Sequence, residues 1–168
     1  NAREDCSLPI GLHPTFKVPA ELRPGRFEKG ITYPGDFEPG AFILKHGATF
    51  TSLEDVPCVP DTTRKLGDTV NLTKLPLPFR CENLVQLLNI DGSFSLYYRN
   101  EGYKVTLRWD NKVFPSCVLW MSNGGRTFQP WNGENYCVGV EPVCSDFELG
   151  IRRCQGDNLT KQSGAASC

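Results

Sequence analysis

The most constraining stretch of this chain runs from residue 84 to 121. It holds four strand-length segments: Leu84–Ile90, Ser93–Tyr98, Tyr103–Trp109 and Pro115–Met121. Asp91-Gly92 separates the first two and Asn100-Glu101-Gly102 the next two, and both are tight-turn sequences. Val105, Leu107 and Trp109 alternate with polar residues, the period of a strand with one buried face. These features predict an antiparallel meander. Further strands are expected at residues 26–33, 135–140 and 143–154, and Leu8, Ile10 and Leu12 alternate in the same manner. No stretch shows sustained helical periodicity with a capping signal. The expected class is therefore all-β, an antiparallel β-sandwich formed by a single domain over residues 1–168. Residues 34–83 read as loop-rich, with Pro34, Pro39, Pro57, Pro60, Pro76 and Pro78, and Cys58 and Cys81 are candidates to staple them. The polar residues 155–168 read as a mobile tail.

Hydrophobic residues make up 39% of the chain and charged residues 22%, enough for a folded core. The formal net charge is −1 and there is no basic block, which argues against nucleic acid as a partner. No apolar run is long enough to span a bilayer, so no membrane is expected. The single Met is not at the start, as in a mature or excised segment. Eight cysteines, an even number, predict up to four disulfides, and their spacing does not form a zinc site. Asn71-Leu72-Thr73 and Asn158-Leu159-Thr160 are N-glycosylation acceptor triplets. Together these features predict a secreted glycoprotein. A cytoplasmic protein with free thiols is the alternative.

Leu119 to Pro142 carries the chemistry. A strand ending near Met121 leads into a polar, Gly-rich loop, and a second strand then closes on Glu141-Pro142. A carboxylate beside indoles and amides is common equipment of a sugar pocket: the rings cover the C–H side of a pyranose, and polar groups bond its hydroxyls. On this reading Trp120 and Trp131 form the platform, and Asn123, Arg126 and Asn132 are candidate hydroxyl ligands. The plainer reading is a hairpin with a surface Glu. Trp109 reads as core and His46 as surface, while Cys137 and Cys144 read as structural because no basic neighbour in sequence would activate a thiol.

Gly11-Leu12-His13-Pro14-Thr15-Phe16, together with the block from Trp120 to Pro142, resembles the aldose 1-epimerase (galactose mutarotase-like) superfamily. Gly92-Ser93-Phe94 and the run from Val105 to Asp110 fit that family's intervening strands. The resemblance covers residues 8–150 and looks like the C-terminal half of such a domain, from an uncharacterised branch. It implies part of a supersandwich that is cofactor-free and metal-free, acting on a hexose-type sugar. By resemblance Glu141 would be the base and His13 the acid of ring opening. The family's first half supplies an Arg and another His that this chain does not match, so an N-terminal companion segment or chain is an expected partner. Its sugar-binding Asp is matched by neither Asp91 nor Asp110. The alternatives are an inactive carbohydrate-binding module and a disulfide-rich secreted structural or interaction domain.

Overall fold

A computed structural model describes residues 10–33 and 41–145 of the chain. The described residues contain no helix, and the fold is an antiparallel β-sandwich. The strands are β1 (Thr15–Lys17), β2 (Ala20–Pro24), β3 (Lys29–Tyr33), β4 (Thr49–Phe50), β5 (Val56–Pro57), β6 (Thr69–Val70), β7 (Lys74–Leu75), β8 (Cys81–Leu88), β9 (Ser93–Tyr98), β10 (Tyr103–Arg108), β11 (Ser116–Asn123) and β12 (Tyr136–Val143). A large sheet has the order β1-β12-β11-β8-β3-β4 and a small sheet the order β10-β9-β2-β7, while β5 and β6 pair separately.

The expected meander is not what forms. β9 and β10 make a hairpin in the small sheet, whereas β8 and β11 pair with each other in the large one. The chain changes sheets at Asn89–Gly92, where Asn89 (φ 50°) and Gly92 (φ 78°) have left-handed backbones. Asp91 holds this corner: its backbone N–H donates to Arg26 O (2.9 Å), and its carboxylate accepts from Arg26 N (3.0 Å). Arg26 lies on the matching crossover from β2 to β3, so the two sheet changes share one anchor.

The burial pattern explains the rest. β9 and β10 alternate because one of their faces meets solvent. β8 and β11 are buried on both faces, which is why they read as nearly continuous apolar runs. Between the sheets lie Leu22, Val85, Leu87, Phe94, Leu96, Leu119, Met121, Val138 and Val140. Trp109 packs against this core, as expected, and its Nε1 donates to Phe114 O at 2.9 Å. A second apolar cluster of Ile31, Tyr33, Leu84, Leu88, Val118 and Val143 covers the other face of the large sheet.

The disulfide expectation needs correction. Cys58, Cys81, Cys117, Cys137 and Cys144, the five described cysteines, are all free. Cys58, Cys81 and Cys117 are used as small apolar fillers of the inter-sheet core. Cys6, Cys154 and Cys168, the Asn158 triplet, the strand reading beyond residue 145 and the tail at 155–168 lie outside the described residues.

Candidate functional site

The site forms on the outer face of the large sheet, the side turned away from the small sheet. Antiparallel pairing of the N-terminal segment with β12 creates it. Gly11 bridges Val143 and Thr15 pairs with Gly139, so the same register sets His13 opposite Glu141. Backbone bonds on either side hold that register: Leu12 N to Pro142 O at 2.9 Å and Val140 N to Pro14 O at 3.0 Å. Directly opposed residues of an antiparallel pair bring their side chains together. His13 Nδ1 accordingly lies 2.7 Å from Glu141 Oε1. It is a close contact without the alignment of a full hydrogen bond.

The two partners differ sharply in environment. The His13 side chain is 61% exposed and that of Glu141 only 6%. Burial pushes the Glu141 carboxyl above the ordinary glutamate range, and the His13 contact partly pulls it back. A carboxyl raised in this way is better matched to proton exchange near neutrality than a solvated one.

Trp120 stands on β11 beside Gly139 of β12 and Leu84 of β8. The His13 ring stacks on its indole with centroids 5.6 Å apart and planes at 21°. Arg126 lies over both Trp120 and Trp131, its Cζ 5.1 Å from each ring centroid. The loop carrying Arg126 and Trp131 is closed by its own backbone, Gly133 N to Arg126 O at 2.7 Å and Trp131 N to Phe128 O at 2.9 Å. His13, Trp120, Arg126 and Trp131 thus form one continuous cation–aromatic row ending at the Glu141 carboxylate.

Beneath the row is a residue that the sequence reading passed over. Glu82, fully buried on β8, accepts from Ser122 Oγ (2.8 Å), Trp120 Nε1 (3.2 Å) and Gly125 N (3.2 Å), with Arg126 Nε at 3.9 Å. Burial raises its carboxyl above the usual value, and those donors oppose the rise. Glu82 orients the Trp120 indole and places a counter-charge beside Arg126. The available signal was a Glu just before an apolar run, but the expected strand began at Leu84, after Glu82.

Two expected ligands lie elsewhere. Asn123 is one residue out of phase with Ser122, so its side chain turns to the opposite face. There it accepts from Leu77 N (3.0 Å) and donates to Phe79 O (2.6 Å) and Leu77 O (3.1 Å). Asn132 is exposed at a left-handed turn position (φ 50°), and its backbone N–H donates to Phe128 O. Asn135 is the amide nearer the row, donating to Ser122 Oγ at 2.8 Å. Among the described residues no three His, Cys, Asp or Glu side chains cluster as metal ligands. No protein-family model, curated protein or solved structure matches the chain. The site's chemistry therefore rests on its own residues.

Proposed function

We propose that the chain is an aldose epimerase or mutarotase-like enzyme interconverting the anomers of a hexose-type sugar, with Glu141 as base and His13 as acid. The observation that supports this is the 2.7 Å approach of His13 to Glu141 beside the Trp120 indole. Mutarotation moves protons on two oxygens of one carbon, the anomeric hydroxyl and the ring oxygen, so its acid and base must be neighbours. Glu141 takes the hydroxyl proton, the O–H electron pair becomes the carbonyl bond, and the bond from C1 to the ring oxygen breaks. Protonated His13 gives its proton to that ring oxygen. Rotation of the aldehyde and reversal of both transfers close the other anomer and restore both groups. The exposed His13 ring has room to swing aside as sugar enters, while Glu141 is held by its strand.

A second reading, a sugar-binding module without turnover, is favoured by the same contact, which engages the acid and base with each other. Polarimetry or NMR of galactose and glucose anomers, on wild type and Glu141→Gln, separates the two. The enzyme reading expects catalysed interconversion that falls about 10²–10⁴-fold in the variant while sugar binding is retained. Binding with no rate above buffer leaves the module, and no sugar binding removes both. Export from the cell is supported by the exposed Asn71 of its acceptor triplet, and the free cysteines favour a reducing compartment instead.

A further inference from the structure

The solvent face of the small sheet lies on the far side of the sandwich from His13 and Glu141. Register sets Lys74, Glu21, Tyr97 and Lys104 in one row across β7, β2, β9 and β10. The next row carries Arg23, Ser95 and Thr106, and Arg108 stands opposite Ser93 beyond it. Arg99 follows Tyr97 by two positions and extends the same face. Five cations therefore share this face with Glu21, in a chain whose formal net charge is −1.

Three of these cations, Arg23, Arg99 and Lys104, are held in place rather than merely solvated. Arg23 Cζ, Lys104 Nζ and Arg99 Cζ lie 5.3, 5.7 and 5.8 Å from the Tyr97 ring centroid. Glu21 accepts from Arg23 Nε at 2.8 Å and Arg99 Nε at 2.5 Å, and the two guanidinium groups hold its carboxyl down at about 2. The Arg23 and Arg99 side chains are still 56% and 66% exposed, which leaves the N–H groups not engaged by Glu21 open to solvent. Fixing a charged side chain beforehand lowers the entropy lost when an anion binds. A cleft of about 300 Å³, lined in part by Lys74, Tyr97, Arg99 and Asn100 together with the acidic Glu21 and Glu101, opens at one end of the face.

We infer that this face binds an acidic polysaccharide, a chain bearing uronate carboxylates or sulfates at regular intervals. Charge complementarity selects a polyanion, and rows that step about 4.8 Å from strand to strand across the sheet suit an extended one. Single-stranded nucleic acid fits less well, because it needs open aromatic faces for its bases. Tyr97 is covered by three cations, and Tyr98 and Tyr103 stack on each other at 4.8 Å. The inference is independent of the sugar chemistry on the opposite face.

The test is titration of the purified chain with polygalacturonate, heparin, neutral dextran and an oligothymidylate by calorimetry at low salt. Binding of polygalacturonate or heparin, with none of dextran and weaker binding of the oligonucleotide, is the expected result, and the two acidic polymers tell carboxylate from sulfate recognition. Lys104→Glu/Arg108→Glu, on an exposed edge strand, should weaken that binding about tenfold or more, as should raising salt from about 50 to about 300 mM. Lys104→Gln/Arg108→Gln repeats the comparison if the reversed variant fails to fold. No binding of either acidic polymer, equal binding of the oligonucleotide, or binding indifferent to both substitutions would overturn the inference.

Discussion

The carboxyl group of Glu141 lies over Gly139, two residues back on the same face of β12, where a Cβ would stand 2.4 Å from Oε1. Gly139 is flanked by Thr15 on β1 and Trp120 on β11. The missing side chain gives the carboxyl room to lie against the sheet and meet His13. Gly139→Ala should therefore displace the Glu141 carboxyl without breaking the fold, because the obstructing atom is the far end of a flexible side chain. For the proposed anomer interconversion, the expected outcome is a loss of rate of about 10²-fold, the cost of misplacing a reacting group by roughly an ångström. Melting temperature should change little. Wild-type rates in the variant would remove the positioning role of this gap.

The buried Glu141 carboxyl should titrate above the ordinary glutamate value of 4.5, since burial raises it more than the His13 contact lowers it. With Glu141 as the base of the proposed reaction, the acid limb of kcat/KM should lie above that value, because the base must be ionised. Replacing His13 by Asn removes the lowering influence, so the Glu141 carboxyl should move further up. Carbon NMR of the labelled carboxyl follows this without requiring turnover. A downward move in the variant would contradict the geometry.

Glu82 gives a stability prediction with a definite sign. Its carboxyl is raised by burial in the folded chain, so its favourable contribution is present at pH below the usual value and lost as pH rises through the folded value. Glu82→Gln does not titrate. Its melting temperature relative to wild type should therefore improve as pH rises from the usual glutamate range through the raised folded value, and level off beyond it. Offsetting this, the amide cannot accept both sets of donors and removes the negative charge 3.9 Å from Arg126 Nε, a cost of about 1–3 kcal/mol. A pH-independent difference would mean that the folded Glu82 carboxyl titrates like a solvated one, with no upward shift.

Thiol chemistry tests the core. Burial pushes the Cys81 thiol up to about 12 and the Cys117 thiol higher still. Neither should react with a thiol reagent in the native protein, while all five described cysteines should do so after denaturation without reductant. Fewer than five reactive thiols on unfolding, of the eight cysteines in the chain, would mean that at least one of these five is in a disulfide.

The hairpin of β9 and β10 was legible because one face of each strand meets water and the other meets Phe94, Leu96 and Val105. Alternation reports that asymmetry directly. β8 and β11 have no wet face, so their apolar runs announced strands but not which sheet would hold them. Glu82 stayed hidden for the same reason: its burial comes from Ser122, Trp120 and Gly125, all some forty residues further along the chain. Asn123 was grouped with the loop residues by its neighbours in sequence. Its place as the last residue of β11 sends it to the other face.

The residue types alone determined an all-β chain and supplied an imidazole, a carboxylate and two indoles at fixed positions along it. Local turn chemistry and period-two patterning act over a few residues, so they are written in the sequence. Only the tertiary structure decided that Gly11 meets Val143, and with it that His13 faces Glu141 across neighbouring strands. It likewise gathered scattered lysines and arginines onto one face of the small sheet. Register between distant strands is set by the packing of both faces at once, a sum over the whole core that no short stretch contains.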